Sequence, residues 1–142
     1  MSGTLSFPPR ADVLRKLRAD VRDLTQRLGG DEGIGDVVAL VADELVNNAI
    51  EHGAGYRLRN LDLELSIAYR DARWFVTFRD PEMPQAEVAE LAVAMAEVAR
   101  GMPSLESERG RGLFLLSVYL ERIAVCADAM GGLRLEGWVA KS

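Results

Sequence analysis

The chain has 142 residues and lacks several features that define large classes of protein. Its only cysteine is Cys126, so no disulfide can form within the chain, and a reducing compartment is expected. No apolar run approaches the ~20 residues that a membrane-spanning helix requires. The N-terminus lacks the basic, apolar and small-residue regions of a signal peptide. These absences predict a soluble cytoplasmic protein that does not associate with membranes.

Positive charge is also scarce. Seventeen lysine and arginine residues stand against 22 aspartate and glutamate residues, which gives a formal net charge of -5. A protein that binds nucleic acid non-specifically is expected to be basic, so this balance argues against direct nucleic-acid binding. The sequence shows no internal repeat, low-complexity tract or linker. Its length and its 49% hydrophobic content predict a single domain over residues 1–142.

The sequence does contain a clear succession of periodic segments. Hydrophobic periodicity predicts helices over residues 11–28, 31–52, 85–99 and 113–120, and strands over residues 4–7, 61–68, 74–78, 122–127 and 133–139. Residues 101–109 are polar, contain Pro103 and are predicted to form a loop. This order predicts an α+β fold, a two-layer α/β sandwich in which helices cover one face of a mixed, mostly antiparallel sheet.

The helix predicted over residues 31–52 carries polar side chains on an apolar stripe. At ~100° per residue, Glu44, Asn48 and His52 fall within the arc of that stripe, which is formed by Val37, Val41 and Leu45. Asp43 and Asn47 fall on the opposite side, which is expected to face solvent. Burial of an unpaired carboxylate or amide costs several kcal/mol, so such groups usually contact a partner, water or a ligand. The alternative is a position at the boundary between core and solvent, where water hydrates these side chains.

Glu44 and Asn48 offer chemistry that suits phosphoryl transfer. Asn48 can supply a neutral oxygen to an octahedral Mg²⁺ that keeps most of its waters and binds substrate phosphates. Glu44, one turn earlier, can accept a proton from a nucleophile or orient it. His52 lies near the end of the helix, where a capping or dipole role explains it better than catalysis.

A second motif, Glu-Arg-Gly-Arg-Gly-Leu at residues 108–113, is predicted to be a loop that leads into a helix. Two glycines let the backbone approach an anion closely, and a helix N-terminus offers free N–H groups. Arg109 or Arg111 can add a guanidinium fork to a phosphate. An ordinary turn between a loop and a helix is the alternative, and the motif gains weight only beside Glu44 and Asn48.

Three features together resemble the GHKL ATPase superfamily over nearly the whole chain. They are Glu44-x-x-x-Asn48-Ala49-x-x-His52, a strand ending at Asp80, and Gly110-x-Gly112-Leu113 before a helix. The element order is similar to the Bergerat-type ATP-binding fold of that superfamily. The short length looks most like the serine-protein kinase anti-sigma factors. Their domain binds ATP and Mg²⁺, and it sequesters a sigma factor or phosphorylates a serine on a STAS-type anti-anti-sigma protein.

The resemblance implies a role for each matched residue. Glu44 resembles the catalytic base, Asn48 the nucleotide-binding Mg²⁺ ligand, and Asp80 the aspartate that binds the adenine amino group. His52 matches a position with a structural role. The end of the ATP lid and its phosphate cradle would be formed by Arg109, Gly110, Arg111, Gly112 and Leu113. The resemblance also implies a homodimer formed through the outer face of the sheet.

The segment after Asp80 departs from the family pattern. The family has Asp-x-Gly-x-Gly, whereas Glu82 and Pro84 replace both glycines here. Gly131-Gly132-Leu133 lacks the hydroxyl of the family's Gly-Thr pair. Two functions therefore stay open: a serine kinase that uses Mg·ATP, and a non-catalytic partner-switching regulator whose ATP binding is weak or lost. A domain cut from a larger sensor kinase is a third alternative.

Overall fold

The computed structural model describes residues 1–101 and 108–140, with only the backbone of residues 108 and 109. Its elements follow the predicted order, and most of the loop predicted over residues 101–109 lies outside the described residues. The strands and helices are β1 (Ser2–Phe7), a 3₁₀ turn (Ala11–Val13), α1 (Leu14–Arg27), α2 (Glu32–Gly53), β2 (Leu63–Arg70), β3 (Arg73–Asp80), α3 (Gln85–Ala99), α4 (Glu108–Tyr119), β4 (Leu120–Ala127) and β5 (Leu133–Val139).

The five strands form one open sheet in the order β1-β2-β3-β5-β4. Every pairing between these described strands is antiparallel, so the sheet is antiparallel rather than mixed. Short turns explain two of the four pairings, because β2–β3 and β4–β5 join strands that are consecutive in the chain and must then run in opposite directions. Asp71 and Ala72 form the turn between β2 and β3 with φ of 54° and 60°, the left-handed values of a type I′ hairpin.

The core lies between the helices and one face of the sheet, which confirms the predicted two-layer α+β architecture. Side chains that alternate along β2, β3 and β5 are almost fully buried, namely Leu63, Leu65, Ile67, Val76, Phe78, Leu133 and Leu135. Helix residues such as Val21, Val38 and Leu116 complete the same cluster. Each such large apolar side chain contributes roughly 1.5–3 kcal/mol on burial, which makes this layer the main source of stability.

Helix α2 begins and ends where local chemistry requires it. The Asp31 carboxylate accepts a hydrogen bond from the Ile34 backbone N–H at 2.9 Å and so caps the N-terminus. At the other end Gly53 allows the following segment to fold back under the helix. Within the described residues no helix is both long and apolar enough to cross a bilayer.

Candidate functional site

Helix α2 places Glu44 and Asn48 at the border of its buried face. The stripe that packs into the core is centred on Val38, Ala42, Leu45 and Ala49, so it shares Val41 and Leu45 with the predicted stripe but its centre is displaced to one side. Glu44 and Asn48 are half-buried and His52 is exposed. Of the predicted stripe, Val41 and Leu45 are buried and Val37 is only half-buried, so these polar side chains lie at the edge of the buried face. The boundary alternative describes these residues.

Glu44 and Asn48 line a polar cleft of about 400 Å³ between α2 and α4. Its lining comprises Glu44, Asn47, Asn48, Glu51, His52, Arg111, Gly112 and Leu115. Asn47 was expected to face solvent on the opposite side, yet it shares this cleft with Asn48. Asp43, also expected there, is partly buried and contacts Arg18 Nη1 at 2.9 Å. The partial burial of Asp43 follows from the shifted centre of the stripe, whereas Asn47 lies at the solvent-exposed side of the open cleft.

Glu44 and Gly112 are in direct contact across the cleft. A Cβ atom added to Gly112 would lie 2.6 Å from Glu44 Oε2, so the absent side chain leaves the room that the carboxylate occupies. Burial raises the pKa of Glu44 above its usual value, and the charges of Asp43 and Glu51 raise it further. A carboxylate with a raised pKa is a better proton acceptor, which suits the role predicted for Glu44.

The glycine motif belongs to a helix instead of a loop. Helix α4 begins at Glu108, so Gly110, Arg111, Gly112 and Leu113 all lie within its first turns. Only the first four N–H groups of a helix lack internal partners, and those of Gly112 and Leu113 are used inside α4. Leu113 is buried in the core, whereas Arg111 is exposed and lines the cleft. The Arg109 side chain lies outside the described residues.

Asp80 ends β3 and is fully buried. Its Oδ1 accepts hydrogen bonds from Arg57 Nη1 at 3.0 Å and from the Glu82 backbone N–H at 3.2 Å. Its Oδ2 accepts hydrogen bonds from Arg57 Nη2 at 2.6 Å and from the Tyr56 hydroxyl at 3.0 Å. A carboxylate has about four lone-pair positions, so these four donors use its hydrogen-bonding capacity.

Arg57 and Tyr56 belong to the segment that follows α2, and the sequence patterns did not identify them. The Arg57 side chain is only 5% exposed and also donates to the Ala49 carbonyl at 3.0 Å. Burial and the charge of Asp80 raise the pKa of Tyr56, so its hydroxyl stays protonated and can donate. A buried carboxylate requires a cation or several donors, and that requirement was the available signal for Arg57.

The residues that replace the two glycines reinforce this arrangement. The Glu82 carboxylate accepts the backbone N–H groups of Arg59 at 2.9 Å and of Leu61 at 2.7 Å. Pro84 is the N-cap residue before α3 and has a φ of -64°, a value that a proline ring favours. The segment after Asp80 is therefore a turn tied to residues 59–61, with Met83 buried beneath it.

Little space remains beside Asp80 for a ligand. Asp80 is 0% exposed, so no space that water can reach adjoins its carboxylate. A separate small cavity in the core, which Asp80 does not line, measures about 10 Å³. Its lining includes Leu45, Asn48, Phe78, Met83 and Leu113. Asn48 thus separates an open polar cleft from a filled apolar interior.

The two ends of the predicted nucleotide site therefore differ in how they fit ATP. Glu44, Asn48 and the open cleft suit Mg²⁺ and phosphate groups. The Asp80 end does not suit adenine, because its carboxylate is engaged and its surroundings are filled. Among the residues that the structure describes, no group of three or more His, Cys, Asp or Glu side chains is arranged to hold a metal ion.

Comparison with known proteins agrees with this architecture. Residues 7–133 match the family model of the histidine kinase-like ATPase domain. One chain in the crystal structure of the SiaB–SiaC complex from Pseudomonas aeruginosa superposes with a TM-score of 0.72 at 15% sequence identity. The alignment covers 95% of this chain and 88% of that one, and at this identity it shows the fold alone. No curated protein sequence matches significantly.

Proposed function

The chain belongs to the histidine kinase-like ATPase domain family, and from that premise we propose that it is a regulator of the anti-sigma type that acts by binding partner proteins without nucleotide turnover. Its proposed partners are a sigma factor and a STAS-type anti-anti-sigma protein, which compete for it. It is proposed to act in the cytoplasm.

The engagement of Asp80 by Arg57 and Tyr56 is the single observation that carries this proposal. An aspartate that recognises adenine must have a free oxygen and a space beside it, whereas both oxygens of Asp80 accept hydrogen bonds within the chain and its side chain is fully buried. If Arg57 released Asp80 to admit a base, its guanidinium would remain in the interior without a counter-ion, which costs several kcal/mol. The fold is thus kept while its adenine-binding end serves the packing of the protein itself.

The structural neighbour lends support to a partner-binding role. A chain of the same fold takes part in the two-protein SiaB–SiaC complex. Protein recognition requires a stable surface but no nucleotide turnover. The engagement of Asp80 within the chain is therefore compatible with a partner-binding role.

Binding assays with and without nucleotide test the proposal. The STAS-domain proteins and sigma factors of the source organism, purified singly, are titrated calorimetrically with the chain, with and without Mg·ATP, and with Glu44→Ala. We expect one of each class to bind, with a Kd that neither Mg·ATP nor Glu44→Ala changes more than about twofold. Binding that strictly requires Mg·ATP and Glu44 would contradict the proposal.

A serine kinase is the second candidate, and Glu44 favours it. Its raised pKa, its contact with the Gly112 backbone and the open cleft suit a base that takes the proton of a serine hydroxyl. Mg·ATP, held at Asn48 and the first turn of α4, would supply the phosphoryl group. This candidate predicts that saturating Mg·ATP raises the melting temperature and that Asn48→Ala abolishes the rise. An unchanged melting curve for the wild type would exclude it.

A further inference from the structure

Among the residues that the structure describes in this region, Arg57 is the most deeply buried cation, and several elements contact its guanidinium. Its Nη1 and Nη2 form a bidentate pair with Asp80, while Nη2 also reaches the Ala49 carbonyl. Its Nη1 lies 3.8 Å from Glu82 Oε1. A second acid, a carbonyl of α2 and the end of β3 therefore converge on one guanidinium.

The chain keeps a specific space for that group. A Cβ atom added to Gly53 would overlap the Arg57 guanidinium, so a glycine at the last residue of α2 is needed for the side chain to pass. The ring of Tyr56 lies beneath the guanidinium, with its centroid 5.1 Å from Cζ. A planar group with two N–H donors thus occupies a fitted slot between Tyr56, Gly53 and Asp80.

We propose that Arg57 is a built-in ligand of this slot: its guanidinium takes the place at Asp80 that an external planar group with N–H donors, such as a purine base, would need. The slot is therefore closed to nucleotides in the wild-type protein and accepts a small planar cation once Arg57 is truncated. This inference concerns the pocket itself and does not depend on which partner protein binds.

Contacts of Arg57 and Glu82 hold the region around Asp80 together. The segment that follows α2 contacts β3 through Asp80 and contacts the β3–α3 turn through Glu82. Arg57 and Glu82 thus join α2, the segment between α2 and β2, the end of β3 and the β3–α3 turn. Bidentate Arg–carboxylate pairs fix orientation as well as distance, so this connection is rigid.

Chemical rescue tests the proposal. Arg57→Ala should lower the melting temperature by about 10 °C or more, because the buried Asp80 carboxylate loses its cation. The matched control is Arg59→Ala, whose side chain is exposed and which contacts Glu82 only through its backbone. Millimolar methylguanidinium should raise the melting temperature of Arg57→Ala by several degrees and leave the wild type and Arg59→Ala unchanged. Equal losses in both variants, or equal responses to methylguanidinium, would overturn the proposal.

Two further measurements keep the test decisive if Arg57→Ala does not fold. In wild-type protein the Arg57 guanidinium N–H resonances should be in slow exchange at pH 7 and should not move with millimolar Mg·ATP. Resonances averaged by free rotation would overturn the proposal, as would an Mg·ATP-dependent rise in melting temperature that Asp80→Asn abolishes. Methylguanidinium binding and partner-protein binding are separate readouts, so a failure of the proposed function is distinguishable from a failure of this inference.

Discussion

Gly132 lies beside Asp80, at a position where both the backbone conformation and the available space require glycine. Its φ is +84°, and a Cβ atom there would overlap the backbone of Asp80 and Pro81. Gly132→Ala should therefore lower the free energy of unfolding by roughly 2–4 kcal/mol, through left-handed strain plus overlap with backbone that cannot move aside. Urea denaturation measures the loss.

Gly131→Ala is the matched control for that experiment. Gly131 also has a positive φ, of +96°, but nothing lies within 4 Å of its added Cβ. Only the conformational strain applies there, so a loss of about 1–2 kcal/mol is expected. Equal losses at both positions would contradict the close approach to Asp80.

Glu44 carries a measurable cost to stability. Its pKa is raised in the folded protein, so the native state holds a proton more tightly than the unfolded chain does. Stability attributable to Glu44 is therefore greatest at low pH and is lost as pH rises from about the ordinary value of 4.5 through the folded pKa. Glu44→Gln should therefore stabilise the protein slightly at pH 7–8, because solvent screens much of the charge effect at this half-exposed side chain.

The pH dependence distinguishes this effect from a general one. The gain from Glu44→Gln should disappear below about pH 4.5, where the wild-type carboxyl is protonated in both states. Melting curves at pH 4 and pH 8 measure it, with Glu90→Gln on the exposed surface of α3 as the control. A gain of the same size at both pH values would show that charge is not its cause.

Among the elements, α2 and the β2–β3 hairpin could be predicted almost completely from the sequence. Asp31 marks the start of α2, Gly53 its end, and alternating residues mark both strands. The start of α4 was missed, because Gly-Arg-Gly is a poor helix former and only the packing of buried residues such as Leu113 makes it helical. Arg57 was missed because it lies between periodic elements, where spacing carries no signal.

Helix α4 offers a test of the contact that places Glu44. Alanine is favoured over glycine in a helix interior by about 1 kcal/mol, and the methyl of Gly112→Ala would meet only the flexible end of Glu44. We expect Gly112→Ala to keep or raise stability by up to about 1 kcal/mol while it turns the Glu44 carboxylate out of the cleft. Carboxyl ¹³C NMR should then show the Glu44 pKa moving down toward its ordinary value.

Gly35→Ala in α2 is the control for the helix-propensity part of that change. Its added Cβ would meet Arg22 at an ordinary 3.7 Å and would not reach Glu44. It should give a similar gain in stability without altering the titration of Glu44. An unaltered Glu44 pKa in Gly112→Ala would show that the cleft does not depend on the glycine.

At the scale of the whole molecule, the two faces of the sheet differ in the side chains that they carry. The inner face holds the core, whereas the outer face carries aromatic and arginine side chains on its central strands. Phe75 and Trp138 are cross-strand neighbours with ring centroids 4.7 Å apart, and Arg70 lies over the Phe75 ring at 4.3 Å. Aromatic and arginine residues are the types that dominate protein interfaces. We propose this outer face as the surface of a homodimer, in line with the family resemblance.

The oligomeric state decides that proposal. One chain has a mass of 15.6 kDa, and light scattering at about 100 µM protein should give twice that mass for the wild type. Trp138→Glu should reduce the measured mass to that of the monomer, because burying a carboxylate among the paired aromatic rings is costly. Val93→Glu is the control, since Val93 is 58% exposed on α3 in the helical layer, away from the outer face. A monomeric wild type would refute the proposed dimer, and a dimer that survives Trp138→Glu but not Val93→Glu would place the interface on the helical layer. The melting temperature should depend on protein concentration in the wild type and in Val93→Glu but not in Trp138→Glu, because only a dimer is stabilised by mass action.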